Sequence, residues 1–175
     1  KDTDSDGFND FEDLMPDYQY KEPVILVHGL ISDTDSTFGV KTKLSASNDI
    51  YFAPTENPVS EQEFTSPQSH RIIDIKSDGL GYYLKTDMLY TENKNLFAFN
   101  YPNQDVIQFN GERLKKYTEG LIDEFKKSEN ADDYKYFFPT EAAKTKGEVR
   151  FILIGHSMGG LVSRYYIENL GADCV

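Results

Sequence analysis

The sequence is short of several things that would narrow its chemistry at once. It has one cysteine, Cys174, so no intrachain disulfide can form and cysteine spacing says nothing about compartment. Cys174 has no Lys, Arg or His beside it and reads as a small packing residue or a thiol with a partner elsewhere, not as a nucleophile. No apolar run approaches the roughly 18 residues needed to cross a bilayer. The longest, Val24 to Val27 and Val149 to Ile154, have the length of buried strands. Basic residues are scarce, 18 against 30 acidic ones, giving a net charge of −12. Nucleic-acid phosphates and anionic membrane surfaces both call for the opposite balance, so neither is an expected partner. No internal repeat is visible, and no signal peptide is read in the opening residues. Both ends read as cut from a longer polypeptide.

What is present suits a globular domain. The 175 residues and 14% aromatic content are enough for a sizeable core. Residues 1–17 are crowded with Asp and read as an acidic calcium-binding loop or linker. Residues 18–175 read as the N-terminal part of one enzyme domain. Val24 to Val27, after Pro23, is a buried strand, and Leu96 to Tyr101 and Val149 to Ile154 are two more. Arg71 to Ile75 is a further candidate. Residues 32–69 are polar and read as loop with one short helix, and residues 128–147 as a polar connection.

The helical pattern is clearest where Leu114, Tyr117, Leu121, Ile122 and Phe125 recur at spacings of three and four, with Asn110 as a plausible N-cap. Residues 82–92 show a weaker version. A last helix runs from about Leu161 to Leu170, with Gly171 as its stop. Strands that are apolar throughout, alternating with helices, indicate a mostly parallel sheet flanked by helices, an α/β fold.

Gly155-His156-Ser157-Met158-Gly159-Gly160 fits the G-x-S-x-G pattern, with an apolar strand entering and a helix leaving. Reversing from strand to helix in so few residues forces Ser157 into a strained conformation that raises its hydroxyl above the sheet. The residues two before and two after nearly touch across the turn and must be small, a demand that Gly155 and Gly159 meet. A glycine-rich turn with an incidental serine is the bland alternative, and the flanking strand and helix argue against it. An oxyanion hole needs two backbone N–H groups aimed at one point. Met158, after the nucleophile, supplies one. Leu30, after His28-Gly29 at the end of the first strand, supplies the other. His28 reads as structural, His156 as packing beneath the turn, and His70 as a solvated histidine in a polar loop.

These two blocks, Val24 to Leu30 and Gly155 to Tyr165, resemble the bacterial triacylglycerol lipase and esterase branch of the α/β-hydrolases. The likeness spans about residues 22 to 172, specific at the blocks and diffuse between them. It implies an α/β-hydrolase fold whose C-terminal strands are absent from this chain, with Ser157 as acylated nucleophile and Leu30 and Met158 as oxyanion donors. In that family the acid and then the histidine come after the serine along the chain. No histidine follows Ser157, and Asp173 is too close in sequence. The expected function is therefore a serine hydrolase of small-molecule or lipid carboxylic esters. Its acid and base come from a further segment or a second chain, and this stretch alone is expected neither to fold stably nor to turn over esters. The rivals are a non-catalytic surface module on the same fold, and an acyltransferase or thioesterase.

The acidic start has calcium-loop grammar. Asp2, Asp4, Asp6 and Asp10 fall at loop positions 1, 3, 5 and 9, Gly7 at 6, the Phe8 carbonyl at 7, and Asp13 at 12 in place of the usual Glu. With no helix clearly before it, this loop resembles the calcium repeats of thrombospondin type 3 and bacterial surface proteins. That implies weak structural calcium and an extracellular or cell-surface location in a bacterium.

Overall fold

Three short apolar strands organise the molecule. The computed structural model describes residues 1–10, 14, 19–45 and 60–171. In chain order its elements are β1 (Val24–Val27), α1 (Thr34–Phe38), β2 (Val40–Thr42), α2 (Glu61–Thr65), β3 (Ile72–Ile75), α3 (Leu80–Thr86), β4 (Leu96–Phe99), α4 (Ile107–Lys127), α5 (Ala131–Tyr134), α6 (Glu141–Lys146), β5 (Ile152–Gly155) and α7 (Met158–Asn169). β4, β1 and β5 form a parallel sheet in that spatial order. Side chains alternate across it, which accounts for the apolar runs. Ile25, Val27, Phe97 and Phe99 face a core completed by Leu114, Tyr117, Leu121 and Phe125 of α4 and Val162 and Tyr166 of α7. Val24, Leu26, Leu96 and Ala98 face a second core closed by Phe38, Val40, Ile72, Leu84 and Tyr90.

Several expectations shift. Ile72–Ile75 is a strand, but it pairs antiparallel with β2 in a separate ribbon. α3 stops at Thr86, well short of residue 92. α4 starts at Ile107, so Asn110 is buried inside the helix rather than capping it. Its amide donates back to the carbonyls of Pro102 and Asp105, and its oxygen accepts from Arg113. The polar stretch 128–147 holds two short helices, the second capped by Thr140 and ended by Gly147 at φ 78°. α7 starts at Met158, three residues before the expected Leu161, because the turn leads directly into helix. Gly171, at φ 67°, supplies the expected left-handed stop. Within residues 32–69, residues 46–59 lie outside the described ones.

One buried amide joins the ribbon to the main sheet. Asn100, just past β4, is fully buried. Its Oδ1 accepts from the Thr34 N–H at 3.0 Å, and its Nδ2 donates to the Thr34 and Thr42 hydroxyls, each at 2.9 Å. Replacing it would strand the Thr34 N–H and hydroxyl away from water, while the Thr42 hydroxyl keeps Ser45 as its partner. Asn100→Ala is expected to lower stability by about 3 kcal/mol in urea denaturation. A loss below about 1 kcal/mol would show that the Thr34 groups find other partners.

Candidate active site

β5 runs parallel to β1 with Val27 opposite Gly155, and the register continues as the His156 N–H donates to the Val27 carbonyl at 3.0 Å. The chain then turns sharply. Ser157 takes φ 53°, ψ −119°, a combination that costs a non-glycine residue about 1–3 kcal/mol. The residue is exposed. The glycines around it are sterically obligatory. A Cβ on Gly155 would lie 2.6 Å from the Gly160 nitrogen, and one on Gly159 would lie 2.1 Å from the Val27 carbonyl oxygen. α7 thus begins pressed against the end of β1, with its positive N-terminal end beside Ser157.

The end of β1 reaches the same place. A Cβ on Gly29 would stand 3.1 Å from Ser157 Cβ and 2.8 Å from His156 Nδ1, so glycine eases this close approach. Among the described residues, neither the Leu30 N–H nor the Met158 N–H has an acceptor. Two unpaired donors thus follow the two strand ends, Met158 directly after the serine and Leu30 directly after the Gly29 that packs against it. Ile31 comes next at φ 53° with its side chain 74% exposed. A β-branched residue in the left-handed region costs roughly 1–2 kcal/mol, so the turn after Gly29 is held by contacts elsewhere.

The histidines divide into two committed rings and one exposed. His28 is buried; its Nε2 accepts from the Tyr101 N–H at 3.1 Å, so Nδ1 carries the proton and donates to the Gly29 carbonyl at 2.8 Å. Its ring stacks on Tyr101 at 4.1 Å, and the Tyr101 hydroxyl donates to the His28 carbonyl at 2.5 Å. His70 corrects the solvated reading. It is buried against Phe99 and Tyr117, accepts from the Asn100 N–H at Nδ1 and donates to the Phe64 carbonyl at 3.0 Å. Its polar sequence neighbours hide two aromatic walls that come from distant elements. His156 is exposed rather than packed beneath the turn. Among the described residues none bonds to the Ser157 hydroxyl. Asn100, Tyr101 and Ser32 escape a reading of the sequence, since nothing local shows which groups each will bind.

At the N-terminus the carboxylates of Asp2, Asp4 and Asp6 converge within 4.8 Å. Asp4 Oδ2 is buried without a partner. Asp10 stands apart. Its carboxylate accepts from the Thr3 N–H and hydroxyl at 2.7 and 2.8 Å, and the hydroxyl bond above all holds it below the usual range. The Phe8 ring packs edge-on against Tyr20, and Asp13 lies outside the described residues. A cavity of about 560 Å³ lined by Phe8, Tyr20, Pro139, Ala143, Val149 and Arg150 sits before the start of β5, at the end of the sheet away from Ser157.

A serine on a strained turn at the carboxyl end of a parallel sheet, with helices on the sheet's flank, is the arrangement of an α/β-hydrolase-type domain. The match to known families agrees with that class: the chain belongs to the PGAP1-like alpha/beta domain family, whose model covers residues 20–170. The family is hydrolase-like, and residues 1–19 lie outside the match. No curated protein and no solved structure matches the chain. Among the described residues no helix is long and apolar enough to cross a membrane.

Burial, chiefly, pushes the His28 and His70 rings down from 6.5 to about 4 each. The unfolded chain therefore binds more protons below pH 6.5. The stability contributed by these neutral rings is full above that pH and is lost as pH falls through about 4, at most roughly 3 kcal/mol per ring. Imidazole NMR resonances tracked against pH should show both rings neutral until about pH 4. A midpoint near 6.5 for either would contradict the buried, neutral assignment.

Proposed function

We propose that this domain is a serine hydrolase of carboxylic esters that works through an acyl-enzyme. The supporting observation is the exposed Ser157, strained at φ 53°, with Gly29 packed against it, and with N–H groups on Met158 and Leu30, the residues after Ser157 and after Gly29, that lack acceptors among the described residues. Ser157 Oγ attacks the ester carbonyl, and the Leu30 and Met158 N–H groups take the developing oxyanion. The bond to the alcohol breaks, leaving an acyl-serine that water then cleaves. The base is neither His28 nor His70, since both nitrogens of each ring are already engaged. A histidine and an acid from a further segment or a second chain fill those roles. Leu30, Ile31, Val106, Phe109 and Leu161 are exposed apolar residues just past the carboxyl ends of β1, β4 and β5. Exposed apolar side chains in the segments that follow the strands suit an acyl group, which favours the lipase and esterase branch over a hydrolase of polar esters.

In the complete protein, p-nitrophenyl butyrate is hydrolysed, and Ser157→Ala lowers kcat at least about a thousandfold with the fold intact by circular dichroism. Unchanged turnover in that variant would remove Ser157 from the mechanism.

We further propose that Asp2, Asp4 and Asp6 hold a structural calcium ion, as three converging carboxylates with one unpartnered buried oxygen suit a hard cation. Asp10, bound to Thr3, would have to turn to join them. The weak affinity expected of such a loop suits millimolar extracellular calcium, and so an extracellular or cell-surface setting. Calorimetric titration of the complete protein should show millimolar to sub-millimolar binding and a higher melting temperature with calcium. Absence of both would count against the loop as a calcium site.

A further inference from the structure

The Leu30 N–H can serve an oxyanion only if its peptide plane is turned the right way, and Gly29 does nothing to enforce that. A Cβ at Gly29 would crowd Ser157 and His156, and glycine, having none, avoids that contact. It therefore tolerates backbone conformations closed to other residues, including a flip of the Gly29–Leu30 peptide. In the flipped state the Gly29 carbonyl would stand where the N–H should be, and its negative end would oppose the developing charge.

Two donors hold the observed orientation. The Gly29 carbonyl accepts from His28 Nδ1 at 2.8 Å and from the Ser32 hydroxyl at 2.9 Å. Each is itself braced. The His28 ring is fixed by the Tyr101 N–H and stacked on the Tyr101 ring. The Ser32 carbonyl accepts from Asn103 Nδ2 at 3.0 Å, and Asn103 is buried. In a trans peptide the C=O and N–H point in opposite directions. Clamping the Gly29 carbonyl toward His28 and Ser32 therefore turns the Leu30 N–H away from them. The left-handed Ile31 lies between the clamped carbonyl and Ser32, so the strained turn is closed by the same hydroxyl.

Resting on the hydrolase reading, we infer that Ser32 and His28 are positioning residues that lock the Gly29–Leu30 peptide in its oxyanion-binding orientation. Neither touches the substrate. Their effect is to hold a donor ready before the charge appears, so it should be felt in the transition state rather than in ground-state binding.

Ser32 is the practical probe, being half-buried in a turn, whereas His28 is part of the core. In the complete protein, Ser32→Ala should lower kcat for p-nitrophenyl butyrate about tenfold while KM changes less than about twofold. Affinity for butylboronic acid, which becomes a tetrahedral anion on the serine, should fall by the same factor. Ser32→Thr, which keeps the hydroxyl, should restore both. Wild-type kcat and boronate affinity in Ser32→Ala would overturn the inference, as would a loss of kcat with boronate affinity unchanged. A wild-type protein that neither hydrolyses the ester nor binds the boronate would instead remove the hydrolase reading, and the clamp with it.

Discussion

The site depends on the parallel pairing of β1 with β5. Val27 opposite Gly155 brings two strand ends to the same edge of the sheet, so the turns that leave them must share one small space. Glycine is the only residue that fits at two points there, Gly155 and Gly159, and a third, Gly29, has little room beside it. Gly29 faces Ser157 and His156, Gly155 faces the start of α7, and Gly159 faces the Val27 and His28 carbonyls. The reactive geometry is a consequence of that crowding. Ser157 is strained because the chain must turn within it, and the two N–H groups are left unpaired because no backbone acceptor reaches them.

Around this junction the polar groups of the core act as braces. Successive residues at the end of β4 bind a histidine on each side: the Asn100 N–H holds His70 and the Tyr101 N–H holds His28. Asn100 ties the β2–β3 ribbon and α1 to the sheet, and Tyr101 ties the His28–Gly29 turn to it. Both rings are neutral and fully used, so neither has a nitrogen left to act as a base. Buried polar groups of this kind are stabilising only when every partner is present, so the set constrains the loop geometry more firmly than apolar packing would.

Much of this is legible in the residues. The three core strands, the long amphipathic helix and the serine turn are carried by local signals: apolar runs, three-and-four periodicity, and glycines at fixed offsets. The illegible part depends on contacts between distant segments. His70 reads as solvated because its neighbours in sequence are polar, yet Phe99 and Tyr117 enclose it. Asn110 reads as a cap because the apolar stripe marks the helix only from Leu114, whereas α4 begins three residues before Asn110. Ile31 is unremarkable in sequence, since nothing local shows that a β-branched residue will be held at positive φ. In the acidic loop, spacing points to Asp2, Asp4 and Asp6 together, but not to the Thr3 hydroxyl that draws Asp10 aside.

The most direct measurement is the structure of the complete protein after reaction with an alkyl fluorophosphonate, a mimic of the tetrahedral intermediate. The expected result is a covalent phosphonyl group on Ser157 Oγ, its non-bridging oxygen about 2.7–3.1 Å from both the Leu30 and Met158 nitrogens. A serine left unmodified, or an adduct whose oxygen points to solvent with those two N–H groups still unpaired, would contradict the assignment.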